Sequence, residues 1–150
     1  MHTRGRPDQW RTLPVVDDMV ALVAGELRSS SECALSAGVA RDRLVLDPGF
    51  GFGKRFEENY PLLARFEEFA ALGFPLLAGP SRKSFIGQAT SRARVATPAG
   101  ERMGGSRAAA VICIMQGAHI VRVHDVKETV EAAAMVDAVL NSAREAGGIR

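Results

Sequence analysis

The segment Leu44-Val-Leu-Asp-Pro-Gly-Phe-Gly-Phe-Gly-Lys54 joins a short apolar run to a glycine-rich turn. Its first part, residues 43–47, predicts a buried strand, because a short apolar run that ends in Pro and Gly is typical of parallel sheets. Residues 75–79 have the same character, and residues 118–123 predict a third strand. Apolar residues at helical spacing predict helices over 15–37, 58–72, 101–116 and 125–146, and a loop over 88–100. This alternation predicts an α/β fold with parallel strands and helical crossovers.

Length limits the architecture that these elements can form. The chain has 150 residues, of which 47% are hydrophobic and 24% charged, so a disordered protein is excluded. The sheet could be open and doubly wound, or it could be part of a barrel. A complete eight-stranded barrel needs roughly 250 residues, so this chain could supply only about half of one. We find no linker or repeat that divides it.

Charge and cysteine content exclude several classes of protein. The net charge of +2, from 19 basic and 17 acidic residues, gives no case for a nucleic-acid partner. The longest apolar run, residues 108–115, is far too short to span a membrane, and residues 1–5 do not resemble a signal peptide. Cys33 and Cys113 lack CxxC spacing. They predict reduced, buried thiols and a cytoplasmic location.

Polar residues follow each of the three predicted strands. The clusters are residues 47–54, 79–84 and 122–125. Because the carboxyl ends of parallel strands meet at one edge, where α/β folds bind ligands, we expect these clusters to form one site.

The first cluster is not a P-loop. Pro48 stands where the first glycine would be, and Arg55 replaces the final Ser or Thr. A flexible turn is one interpretation. The other places the backbone at Gly51 against a flat ligand, with Phe52 covering it and Asp47 below. A buried carboxylate needs a partner, so Asp47 either caps a helix, forms a salt bridge or accepts N–H groups from a ligand.

The other two clusters are basic. Residues 81–84, Ser-Arg-Lys-Ser, put two cations at a predicted helix start, where they oppose the helix dipole. A bound anion or polar ligand would offset this, although a solvated basic loop is the alternative. Arg122 and His124 are two apart on a strand and point the same way. An Arg beside a His suits a phosphate or diphosphate, whereas a lone His is more often structural.

In combination these segments resemble the dihydropteroate synthase family. Five motifs carry the resemblance, namely Leu46-Asp-Pro-Gly-Phe-Gly-Phe-Gly-Lys54, Gly79-x-Ser-Arg-Lys-Ser-Phe-Ile-Gly87, Gly105-Ser106, Arg122-Val-His-Asp-Val126 and Met1-His-Thr-Arg-Gly5. The last of these is similar to the end of the family's fifth barrel strand. The resemblance covers nearly the whole chain. It implies a (β/α)8 TIM barrel, present here as about the last three to four β/α units, with residues 1–150 forming one partial pterin-binding domain.

The resemblance also implies an activity and its residues. The family condenses 6-hydroxymethyl-7,8-dihydropterin diphosphate with 4-aminobenzoate, giving 7,8-dihydropteroate and diphosphate in folate biosynthesis. Asp47 would accept hydrogen bonds from the pterin ring and Lys83 would bind its polar edge. Arg122 and His124 would hold the departing diphosphate, and with Lys83 they are the expected catalytic groups. Phe52 and Ser84 would contact aminobenzoate, and Arg82 would shape the same pocket. Gly51 and Ser81 are the remaining expected substrate-binding residues.

One departure from the family pattern is large. The first four strands, which carry the family's Mg²⁺-binding Asn-x-Thr-x-Asp-type loop, have no counterpart here. A half barrel exposes strand edges, so we expect the chain alone to be marginally stable or self-associating, and inactive. It would work with a complementing amino-terminal half or as a homodimer. The alternatives are a noncatalytic fragment or partner subunit, and a related methyltetrahydrofolate-binding methyltransferase barrel, against which residues 81–84 argue.

Overall fold

The computed structural model describes residues 1–147. Within them helices and short parallel strands alternate in an α/β arrangement. The α-helices and strands are α1 (Met19–Ser36), α2 (Phe56–Ala64), β1 (Leu77–Ala78), α3 (Ser84–Ala89), α4 (Met103–Met115), β2 (Ile120–Val121) and α5 (Val126–Gly147). Short 3₁₀ helices lie at Pro7–Gln9, Arg41–Arg43, Phe66–Leu72 and Ala99–Glu101.

Parallel pairing joins three segments of the chain side by side, and a hydrogen bond attaches a fourth. In the centre, β1 pairs with β2, with Leu77 opposite Ile120. On the other side of β1, Leu46 forms a parallel bridge with Leu76. Beyond that, the amide of His2 donates to the carbonyl of Asp47 at 2.8 Å. The carboxyl-terminal ends of these segments therefore lie at one edge.

The predicted strand over residues 43–47 is shorter than expected. Residues 41–43 form a 3₁₀ turn, which closes when the amide of Leu44 bonds back to the carbonyl of Arg41. The chain joins the ladder only at Leu46, and Val45 is 43% exposed instead of buried. The turn uses the hydrogen-bonding groups that a longer strand would need.

The first helix begins four residues later than predicted. The Asp18 carboxylate accepts the amide of Ala21 at 3.0 Å and caps α1, so residues 15–18 lie outside it. Its buried face ends at Ser31. Two positions further along, about 200° around the helix, Cys33 is exposed, so the prediction that it is buried was wrong. Cys113 is buried, as predicted.

The helix predicted over 58–72 is two elements. The α-helix α2 ends at Ala64, and a 3₁₀ helix follows. Phe66, Phe69 and Leu72 are all buried, and this spacing of three fits the 3₁₀ repeat better than the α-helical one.

One hydrophobic cluster packs between the strand segments and the helices. Its largest fully buried members are aromatic and aliphatic side chains of the central segments, namely Phe50, Leu62, Phe66, Phe69, Leu76 and Phe85. Among residues 1–147, no helix is both long and apolar enough to cross a lipid bilayer.

Candidate functional site

The three polar clusters meet at the carboxyl-terminal edge of the strands. The second and third line a pocket of about 290 Å³, formed by Gly79, Ser81, Lys83, Arg122, Val123 and His124. The first cluster reaches it through Asp47, whose Oδ2 lies 3.4 Å from Nη2 of Arg122. Side chains far apart in sequence are thus assembled at one place.

Asp47 is buried beneath the glycine-rich turn. Its Oδ1 accepts the amide of Gly49 at 2.7 Å. Its Oδ2 has the longer contact with Arg122, at 3.4 Å. The salt bridge considered from the sequence is therefore present, and its length leaves Oδ2 able to accept a shorter hydrogen bond from a ligand.

Lys83 lies over an aromatic ring of the glycine-rich turn. Its Nζ is 3.9 Å from the centroid of Phe52, which is cation–π distance. Burial and the nearby Arg122 guanidinium lower the pKa of Lys83, and the Asp47 carboxylate partly opposes them. Gly51, at a φ of +77°, runs beside the carbon chain of Lys83. The ammonium is therefore held on a rigid platform.

Ser81 and His124 are hydrogen-bonded to each other. Oγ of Ser81 lies 3.0 Å from Nδ1 of His124 and also accepts the His124 backbone amide at 3.2 Å. This leaves Nε2 of His124 as the ring nitrogen that could contact a ligand. Arg122 crosses over Gly79, where a Cβ atom would lie 2.8 Å from the guanidinium, so glycine makes room for it.

Five predicted site residues do not line the 290 Å³ pocket, namely Asp47, Gly51, Phe52, Arg82 and Ser84. Arg82 forms a two-point pair with Asp125, at 2.5 and 3.2 Å. Asp125 directly precedes α5, and its carboxylate is held by Arg82, which lowers the pKa of Asp125. Ser84 is the first residue of α3 and lines a neighbouring pocket of about 570 Å³, together with Gly51 and Trp10.

A buried basic cluster supports the glycine-rich turn, and sequence reasoning missed it. The Lys54 ammonium donates to the carbonyls of Gly49 and Phe52 at 2.8 and 3.2 Å, and to Nδ1 of His2 at 2.9 Å. Nε2 of His2 lies 2.8 Å from Glu26. Burial lowers the pKa of Lys54 to about 7 and, together with the Lys54 charge, that of His2 to about 4. The sequence feature that could have indicated this cluster is the lysine at the end of the Gly-Phe-Gly-Phe-Gly run.

A second buried ion pair holds the other side of the turn. Nη1 of Arg4 lies 3.5 Å from Oε1 of Glu58, and both side chains are buried. Glu58 also accepts the backbone amide of Arg55 at 2.7 Å. The expected Mg²⁺ has no cage among the side chains of residues 1–143, which contain no group of three or more His, Cys, Asp or Glu arranged around a common point.

The part of the chain that is similar to known proteins includes the predicted site residues of the three polar clusters. A family model described as "Pterin binding enzyme" matches residues 1–124. The chain is 50% identical over 142 residues to dihydropteroate synthase of Escherichia coli (strain K12), covering 95% of this chain and 49% of that protein. It is 46% identical over 135 residues to the Neisseria meningitidis serogroup B enzyme, covering 88% of this chain and 46% of the relative. It spans about half the length of the curated relatives it matches.

Solved structures agree with this assignment. Yersinia pestis dihydropteroate synthase in a sulfonamide drug complex superimposes with a TM-score of 0.86 at 44% identity, covering 94% of this chain and 50% of that one. The Xanthomonas albilineans enzyme in complex with 7,8-dihydropteroate gives a TM-score of 0.79 at 42% identity, with 85% and 47% covered. The chain therefore belongs to the pterin binding enzyme family.

Proposed function

We propose that this chain forms the carboxyl-terminal part of a dihydropteroate synthase. The enzyme would condense 6-hydroxymethyl-7,8-dihydropterin diphosphate with 4-aminobenzoate, as a transferase of folate biosynthesis. The observation that carries the proposal is the assembly of Asp47, Lys83, Arg122 and His124 at one strand edge. The dihydropteroate bound by the Xanthomonas relative supports the same substrate class.

The fold that goes with this function is part of a (β/α)8 barrel, with residues 1–150 as one partial pterin-binding domain of about three to four β/α units. Side chains alternate along strands, so Val45 shares a face with Asp47, and Ile120 shares one with Arg122. Val45 and Ile120 are both 43% exposed, whereas Leu46 on the opposite face is buried. The remainder of a barrel would cover this exposed apolar face.

In this proposal Asp47 and Lys83 hold the pterin. A buried carboxylate accepts two adjacent N–H groups well, which matches the donor edge of a pterin ring. Lys83 supplies donors from above, and its ammonium is already fixed against Phe52. Two oriented partners on opposite sides of a flat ring would fix its plane and its rotation.

The diphosphate would lie against Arg122, His124 and Lys83. As the amine nitrogen of aminobenzoate bonds to the pterin methylene carbon, the carbon–oxygen bond to diphosphate breaks and the nitrogen loses a proton. Negative charge grows on the departing oxygen, and a fixed guanidinium and ammonium stabilise it. Nε2 of His124 can donate a further hydrogen bond in the tautomer whose Nδ1 accepts the Ser81 hydroxyl.

Aminobenzoate would contact Phe52 and Ser84 at the neighbouring 570 Å³ pocket, which Gly51 and Ser84 line. Arg82 shapes this region through its pair with Asp125. We also propose that the complete enzyme requires Mg²⁺ and is located in the cytoplasm. The proposed partner is a complementing amino-terminal half or a second copy of the chain.

The test is reconstitution with a complementary half. This chain is co-expressed with the amino-terminal half of the Escherichia coli relative, and dihydropteroate formation is measured with both substrates. We expect product from the pair, none from this chain alone, and a loss of at least about 100-fold in Asp47→Asn, from one lost charge-assisted contact. Asp17→Asn, an exposed matched control, should keep activity.

The same assay separates the alternatives. A pair that binds neither pterin nor diphosphate would contradict the proposal and favour a noncatalytic fragment or partner subunit. Pterin binding that does not depend on aminobenzoate, without product, would favour the methyltransferase barrel. The mass of the native protein in its source cells shows whether the chain is made near 16 kDa or within a larger product.

A further inference from the structure

Arg82 has a left-handed backbone conformation, with φ of +56°. Residues other than glycine, asparagine and aspartate rarely adopt it, and such outliers concentrate at functional sites. This residue directly precedes Lys83 and directly follows Ser81, two members of the candidate site. The conformation at this one residue therefore sets the direction in which the chain enters Lys83.

Two side chains near the start of α4 bind the peptide groups of Arg82 from both sides. Oγ of Ser106 accepts the amide of Arg82 at 2.8 Å. Nη1 of Arg102 donates to its carbonyl, also at 2.8 Å. Amide and carbonyl together define φ and ψ, so this pair of bonds selects the left-handed conformation.

The position of Arg102 is itself tightly specified. Its Nε donates to the carbonyl of Thr97 at 2.7 Å. Its guanidinium lies where a side chain at Gly87 would be, since a Cβ there would come within 2.5 Å of Nε. Ser106 is only 5% exposed. Both groups are therefore fixed before any ligand arrives.

Neither residue lines the 290 Å³ pocket. Their effect on that pocket would pass through Arg82 to Lys83, whose ammonium lies 3.9 Å from the Phe52 ring centroid. The Arg82–Asp125 pair cannot replace them, because it fixes the end of a side chain and leaves the two flanking peptide planes free to rotate.

We propose that Arg102 and Ser106 are positioning residues, which hold Arg82 in the left-handed conformation and thereby place the Lys83 ammonium over Phe52. The role of Lys83 toward a diphosphate ligand rests on the proposed function. The placement of Lys83 does not, so the two can be tested separately.

The first measurement follows Lys83 in this chain by NMR. Protons above an aromatic ring resonate upfield, so the ε-methylene signal of Lys83 should be displaced in the wild type. We expect Ser106→Ala and Arg102→Met to lose at least half of that displacement, and the conservative variants Ser106→Thr and Arg102→Lys to retain it. Ser31→Ala is the matched control, because Ser31 is also helical and 5% exposed.

The second measurement is the affinity for pyrophosphate, with the free energy of unfolding recorded for each variant. Ser106→Ala and Arg102→Met should bind about tenfold more weakly, the equivalent of one displaced charged contact. Ser31→Ala should bind like the wild type, even where it is equally destabilised. This comparison separates positioning from a general loss of stability.

The outcomes are distinct. A wild-type Lys83 signal in both Ser106→Ala and Arg102→Met would overturn the inference. A wild-type chain that ignores pyrophosphate even when paired with the amino-terminal half would contradict the proposed function, and the NMR displacement would still decide the role of the two residues. If Ser106→Ala does not fold, Ser106→Cys, which keeps the volume with a much weaker acceptor, takes its place with the same expected loss.

Discussion

The ammonium nitrogen of Lys54 lies 2.9 Å from Nδ1 of His2, although 52 residues separate them in the chain. The same ammonium donates to the carbonyls of Gly49 and Phe52. The three N–H groups of the ammonium thus meet two carbonyl oxygens and one ring nitrogen beneath the turn that carries Phe52. This buried contact joins the first residues of the chain to the floor of the candidate site.

Loss of the Lys54 ammonium should therefore loosen the turn. In Lys54→Met two carbonyls and a ring nitrogen lose their donor, so we expect the free energy of unfolding to fall by about 1–3 kcal/mol. Urea denaturation measures it. The control is Lys127→Met on the exposed face of α5, which should change stability by less than about 0.5 kcal/mol. Equal effects of the two substitutions would contradict the supporting role.

His2 should make stability depend on pH in the acid range. Its pKa is lowered from 6.5 to about 4. Between these values the unfolded chain binds a proton that the folded chain does not, so stability rises as the pH increases from 4 to 6.5 and this contribution then levels off. The change is up to about 3 kcal/mol. Toward low pH the wild type should lose stability relative to His2→Asn in urea titrations across this range, and a constant difference between the two curves would refute the assignment.

The order of helices and strands could be predicted from the sequence because each element carries a local signal. Apolar runs that end in Pro and Gly indicated two of the three strands, and the carboxyl-end rule brought Asp47 and Arg122 to one edge. The break after Ala64 was missed because Leu62, Phe66 and Phe69 fit the helical spacing almost as well as the 3₁₀ spacing.

What the sequence could not show depends on contacts between distant segments. Asp125 has the local pattern of a helix cap, but Arg82, 43 residues earlier, takes its carboxylate. His2 carries no local signal, since its partners Lys54 and Glu26 come from two other elements. Residue spacing alone cannot show which partner a polar side chain binds, because the contact that forms is favoured by burial in the folded chain.

Two glycines should respond in opposite ways to alanine. Gly49 has φ of +70°, and a Cβ there would lie 1.9 Å from the carbonyl oxygen of His2. We expect Gly49→Ala to destabilise the chain by about 2–5 kcal/mol, through backbone strain and overlap. Gly25 lies within α1 with no atom near its Cβ position, so Gly25→Ala should stabilise the chain by about 0.5–1 kcal/mol. Thermal unfolding of both variants is the measurement, and a tolerated Gly49→Ala would show that the turn approaches His2 less closely.

The charges around Lys83 should be separable by titration. The Arg122 guanidinium lowers the pKa of Lys83, and the Asp47 carboxylate raises it. Arg122→Met should therefore move this pKa upward, and Asp47→Asn should move it further down, as NMR titration of the Lys83 ε-methylene group would show. Pyrophosphate added to the wild type should act like the arginine substitution, because an anion between the two cations relieves their repulsion. A Lys83 pKa that stays constant in both variants would mean that burial alone sets this pKa. It would also mean that Arg122 and Lys83 do not contact the same ligand.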